Sequence, residues 1–199
     1  DVSYTDMTLR AGEPVGVQLI SGDLEMAATG TVTYVNGNQV LAFGHPLYNL
    51  GPVDYAMTKA RVITVVPSVE TSFKMTATGA VVGRFRQDRT SGVLGEIGKP
   101  PELIPVNIKL MDANQEVKDI RVKIVDDKIL TPFLMNSAVA GIMYTEERAM
   151  GDLTVEMVGD IYLENGQSVH LEDMFSGNFD ASVAEMSGLV TSITYFLTN

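Results

Sequence analysis

Few side chains in this 199-residue sequence are equipped for chemistry, and the most suggestive is His45. It sits in Gly44-His45-Pro46, within a stretch from Gly44 to Asp54 that holds two glycines and two prolines. Imidazole exchanges protons near neutral pH, so a histidine on such a loop is suited to act as a general base. Pro46 restricts His45 to extended geometry and so limits where the ring can point. Gly44 and Gly51 permit close backbone approach to a substrate. A serine hydrolase also needs a hydroxyl for that base and an acid to orient it. Asp54 and Asp88 are the candidate acids, and Ser91, beside Gly92, is the best hydroxyl within the sequence; Ser68 and Ser72 are weaker. Each has a plainer reading: loop aspartates cap turns, a serine beside glycine forms an ST-turn, and a loop histidine caps carbonyls.

Other chemistries find little support. The sequence has two histidines and no cysteine, which excludes thiolate catalysis, disulfides and cysteine-based zinc sites. His170 lies between Val169 and Leu171 on a predicted strand and reads as an outward polar residue. There is no His-Glu-x-x-His run and no glycine-rich loop opening a helix, so no metal and no cofactor is expected. Asp126-Asp127 and Glu146-Glu147 are sequence neighbours whose side chains diverge, which suits solvated charges better than a glycosidase pair.

The loop carrying His45 must be delivered by strands. Val15–Ile20 and Ala27–Val35 are predicted strands, and Asn36-Gly37 predicts a type I′ turn, making 31–43 a hairpin. Arg61–Val66, Thr71–Ala77 and Ala80–Arg86 follow, the last two split at Gly79, with a turn over Asp88–Gly92. Lys99-Pro100-Pro101 predicts a domain boundary. Beyond it, Ile104–Met111 and Val117–Val125 flank a turn. Thr131-Pro132 reads as N-cap and first helical residue, predicting a helix over 132–146. A second hairpin turns at Asn165-Gly166. Ser182-Val183-Ala184-Glu185 reads as a capping box, with Val183, Met186, Val190, Ile193 and Leu197 forming the apolar stripe of a helix over 182–197.

Bulk properties set the frame. Hydrophobic residues are 45% and charged residues 20%, an ordinary globular balance. The net charge of −11 opposes binding to phosphate backbones, so nucleic acid is not an expected partner. No apolar run reaches the roughly 20 residues of a transmembrane helix. The polar opening, Asp1 to Asp6, is no signal peptide, so either a targeting segment has been removed or this is a piece of something longer.

A more specific resemblance lies in Gly22-Asp23-Leu24-Glu25-Met26-Ala27-Ala28-Thr29-Gly30-Thr31-Val32-Thr33-Tyr34 and Leu41-Ala42-Phe43-Gly44-His45-Pro46. A hairpin carrying Thr-Gly-Thr-Val-Thr and ending in Gly-His resembles the SpoIVB-type serine peptidases of bacteria. Gln87 to Gly95 is similar to a second, glycine-punctuated segment of that family. The likeness spans roughly residues 10 to 110. It implies that His45 is the catalytic base, that the substrate is a protein or peptide, and that the location is extracytoplasmic (periplasmic, intermembrane or secreted). The family's Gly-Met-Ser-Gly-Ser-Pro nucleophile stretch has no counterpart. Glu185-Met186-Ser187-Gly188-Leu189 shares only Met-Ser-Gly and falls on the predicted last helix, where a strained nucleophile turn cannot form.

The expectation is a mainly β protein: residues 1–100 as a barrel-like, His-containing part resembling a serine-peptidase barrel, and 101–199 as a β-rich part with two helices. Its function would be to contribute the general-base histidine of a SpoIVB-type peptidase whose serine lies on a further segment or chain. The isolated chain would then be inactive. The alternative is a non-catalytic binding or structural module that keeps the scaffold.

Overall fold

The structure is a computed structural model describing residues 7–66, 73–112, 114–146 and 151–198. It is mainly β, with two helices. The chain divides into two compact units, the first running to Leu110 and resuming at Val117–Asp127, the second comprising Met111–Glu116 and Lys128 onward.

The first unit contains β1 (Pro14–Gly22), β2 (Met26–Asn36), β3 (Gln39–Ala42), β4 (Gly51–Val66), β5 (Phe73–Arg89), β6 (Gly92–Ile97), β7 (Leu103–Met111) and β8 (Val117–Val125). Antiparallel pairing passes from β1 through β2, β3, β6, β5 and β4 and back to β1, closing six strands into a ring. β8 joins the far end of β1, through Ile20↔Ile124, and β7 lies outside it. Closure removes most sheet edges, and alternating side chains fill the interior. Val15, Val17, Val40, Tyr55, Met57, Val82, Phe85 and Val93 are completely buried there.

Register irregularities place several side chains. The turn between β2 and β3 is Gly37-Asn38, flanked by the pair Asn36↔Gln39, with Gly37 at φ 60°. The two-residue loop is therefore one position later than the expected Asn36-Gly37, with glycine first, where a II′ turn wants it. Gly79 does not split a strand; it falls in a bulge of a continuous β5, between Thr78↔Ala60 and Val81↔Thr58. A second bulge sets Phe85 opposite Gly95 and Gln87 opposite Leu94.

Pro100-Pro101 connects β6 to β7 within the first unit, because β8 is hydrogen-bonded to β1 and holds β7 to the same sheet. The division thus falls near residue 128, later than the expected boundary at residue 100. Paired prolines are compatible with a link leading into an edge strand, since only a missing N–H is at stake.

The second unit holds α1 (Leu130–Glu146), β9 (Asp152–Tyr162), β10 (Ser168–Asn178) and α2 (Phe179–Thr198). β9 and β10 form an eleven-pair ribbon turning at Gly166, where the Asn165 side chain accepts the Gln167 amide at 2.9 Å. The expected capping box does not start α2. Asn178 Oδ1 accepts the Ala181 amide at 2.9 Å and begins the helix earlier, while Ser182 is buried and donates to the Leu153 carbonyl. Among the described residues no helix is long and apolar enough to cross a membrane.

Tyr55, wholly buried, donates to Asp127 Oδ2 at 3.0 Å. Burial, then the charge and hydrogen bond of Asp127, hold its phenol protonated far above the ordinary value. Tyr55→Phe should therefore lower stability by about 1–2 kcal/mol in denaturant melts, with the fold retained.

Candidate active site

β3 ends at Ala42 and β4 begins at Gly51, and the loop between them carries His45. Its entry is conformationally unusual: Phe43 lies at φ 73° and Gly44 at φ 72°, and Asn49 near the exit lies at φ 59°. An aromatic residue in the left-handed region is strained and persists only where its surroundings over-determine it. Those surroundings are visible. The Phe43 ring meets the buried Phe85 edge-on, with centroids 6.3 Å apart, and His45 edge-on at 5.7 Å. It also lies over Gly30, where an added Cβ would come within 2.6 Å of the ring. The glycine of Thr29-Gly30-Thr31 thus makes room for the aromatic bridge between core and imidazole.

The His45 ring is exposed, and its Nδ1 lies 2.7 Å from the Pro46 carbonyl oxygen. A carbonyl can only accept, so Nδ1 carries the proton and Nε2 is the basic nitrogen of the neutral ring. The arrangement combines the two readings of a loop histidine: it does bond a carbonyl, and in doing so frees the other nitrogen.

Neither candidate acid touches the ring. Asp54 lies between Arg84 and Arg86, at 3.4 and 3.3 Å. Asp88 is completely buried; its Oδ1 accepts the Leu47 amide at 2.8 Å, and its Oδ2 accepts those of Tyr48 and Asn49 at 2.7 Å. Both carboxylates are thus committed elsewhere. Ser91 is exposed in the β5–β6 turn and makes no hydrogen bond to His45. That turn does abut the loop: a Cβ on Gly92 would meet the Ala42 carbonyl at 2.9 Å and Gly44 N at 3.5 Å. Of the candidate substrate-contacting glycines, Gly44 is exposed beside His45, whereas Gly51 is buried and paired with Asp88 at the start of β4. Ser68 and Ser72 lie outside the described residues. Ser187 is buried inside α2 and donates to the Ala184 carbonyl, as a helical serine would.

Sequence reasoning singled out the loop, its histidine and Asp88, but did not anticipate that Asp88 binds the loop's backbone amides. It also missed Phe43 and Gly30 as ring supports. The Thr-Gly-Thr motif was a signal for the latter, since a glycine inside a strand marks a close approach.

His170 is an exposed strand residue, as expected, facing its cross-strand partner Asp160 at 2.9 Å with Glu172 at 3.9 Å. Among the described residues no group of three or more acidic or histidine side chains is placed to hold a metal ion.

Comparison of the chain with protein-family models, with curated proteins and with solved structures gives no match.

Two measurements follow. Gly30→Ala should displace the Phe43 ring, costing about 1–3 kcal/mol by overpacking and shifting the His45 ring resonances in proton NMR. For His170, the hydrogen bond its ring donates to Asp160 is the largest cause of a raised pKa. The pair therefore contributes stability below the unfolded value of about 6.5 and loses it as pH rises through the folded value. An NMR titration should place the His170 midpoint above the ordinary histidine range, and Asp160→Asn should lower it.

Proposed function

We propose that this chain supplies the general base of a SpoIVB-type serine peptidase, with His45 in that role and the nucleophilic serine on sequence outside residues 1–199. The observation that carries the reading is an exposed imidazole whose Nδ1–H is tied to the Pro46 carbonyl, leaving Nε2 to accept a proton. In the reaction Nε2 takes the hydroxyl proton as the serine oxygen attacks the peptide carbonyl. The imidazolium then returns that proton to the departing amine. The Pro46 carbonyl holds the ring through both steps. The resemblance of the hairpin and the Gly-His pair to the peptidase family supports a protein or peptide substrate and an extracytoplasmic location.

A non-catalytic module is the second reading. It is favoured by the absence of any carboxylate contact with the His45 ring among the described residues, since Asp54 is paired with arginines and Asp88 with backbone amides.

The test uses the complete gene product and a fluorophosphonate probe. Labelling is expected at a serine outside residues 1–199, and His45→Ala should slow it by about 10²–10⁴-fold. A complete product that carries a nucleophile stretch but is never labelled, or is labelled equally fast in the variant, would establish the second reading.

A further inference from the structure

We infer that Asp88 is the positioning residue for His45, acting across the single peptide unit that joins Pro46 to Leu47. The inference rests on His45 serving as a base and names what holds that base in its working tautomer.

Asp88 belongs to a core-facing row. Reading across the strands, Val32 pairs with Ala42, Ala42 with Val93, Val93 with Asp88 and Asp88 with Gly51. All five are buried, and four are apolar or glycine. A carboxylate in such a row is costly unless its oxygens are satisfied. Among the described residues it has no ion-pair partner. Three consecutive amides, those of Leu47, Tyr48 and Asn49, converge on it instead. Such charge-assisted bonds are stronger than neutral ones, and successive amides curling around one anion form a nest. The left-handed Asn49 at its end is the kind of residue such a curl requires.

The covalent geometry makes the connection to His45. The carbonyl that accepts His45 Nδ1–H and the amide that donates to Asp88 Oδ1 belong to the same peptide group, Pro46 C=O and Leu47 N–H. That peptide is trans, so its C=O and N–H lie in one plane and point in opposite directions. One edge of the peptide meets a buried anion, the opposite edge the imidazole. Hydrogen bonds in series polarise one another: the carboxylate draws on the amide N–H, electron density shifts toward the carbonyl oxygen, and that oxygen becomes a better acceptor for Nδ1–H. No proton crosses the peptide. The acid that usually contacts a catalytic histidine directly is here set back by one amide group, which transmits both orientation and polarity.

The ring's tautomer is the readout, because it responds to this link, whereas a merely structural aspartate would not set it. Nitrogen-15 NMR of the 199-residue protein, at a pH where His45 is neutral, distinguishes Nδ1–H from Nε2–H. In the wild type the Nδ1–H form is expected, the opposite of what a free histidine side chain prefers. Asp88→Asn should shift His45 toward Nε2–H, with His170 as an unchanged internal control, and Asp88→Glu, which keeps charge and both oxygens, should retain Nδ1–H. An Nε2–H wild type overturns the inference. So does an Asp88→Asn protein that keeps the wild-type tautomer, or, if that variant does not fold, a folded Asp88→Glu protein in the Nε2–H form. The measurement needs no hydrolysis, so its outcome is separate from that of the labelling test. In the complete gene product, where labelling occurs, Asp88→Asn should also slow it by at least about 10-fold.

Discussion

A negative charge enclosed by aliphatic side chains must be answered by donors, and in this protein the donors are the backbone of the loop that matters. That constraint organises the first unit. The six-stranded ring supplies a buried row that includes Asp88. The carboxylate in that row cannot be left unpaired, and the cheapest available donors are the amides at 47, 48 and 49. Gathering them bends the chain over the end of the barrel, and the imidazole two residues upstream is fixed by the bend. The unusual backbone at Phe43 and Asn49 is tolerated because this clamp and the Phe43–Phe85 contact act on the loop from opposite ends.

Much of the fold was legible in the residues because it depends on local chemistry. The β2–β3 and β9–β10 hairpins announced themselves through Asn and Gly, and the half-solvated β8 through the alternation of Ile120, Val122 and Ile124 with Arg121 and Lys123. Both helices stand close to where Thr131-Pro132 and the apolar stripe from Val183 to Leu197 put them, starting two and three residues earlier than expected and ending within one residue. Asn178 rather than Ser182 caps α2, a choice decided by where the ribbon delivers the chain and by the burial of Ser182 against Leu153.

What was not legible depends on distance along the chain. The Asp88 contacts span 39 to 41 residues, and nothing in the spacing of an aspartate and three amides marks them as partners. An aspartate beside a turn suggests a cap, and a histidine near two aspartates suggests a direct contact; both are sound local arguments. Tertiary structure overruled them, engaging Asp54 with Arg84 and Arg86 across strands and turning Asp88 inward. The boundary at the paired prolines failed for the same reason, since only the long-range pairing of β8 with β1 shows that the sheet continues past them.

The irregularity between Phe85 and Gln87 has a wider meaning. In a regular strand the parity that buries Phe85 would bury Gln87 next and turn Asp88 to solvent. One surplus residue in β5 reverses that phase, so a carboxylate faces the interior where a neutral carboxamide would otherwise stand. The electrostatic character of the barrel mouth is therefore encoded by a count along one strand as much as by residue identity. A chain one residue shorter between 85 and 88 would keep Asp88 on the inward parity without a bulge, whereas a strand of the present length run regularly would turn it to solvent.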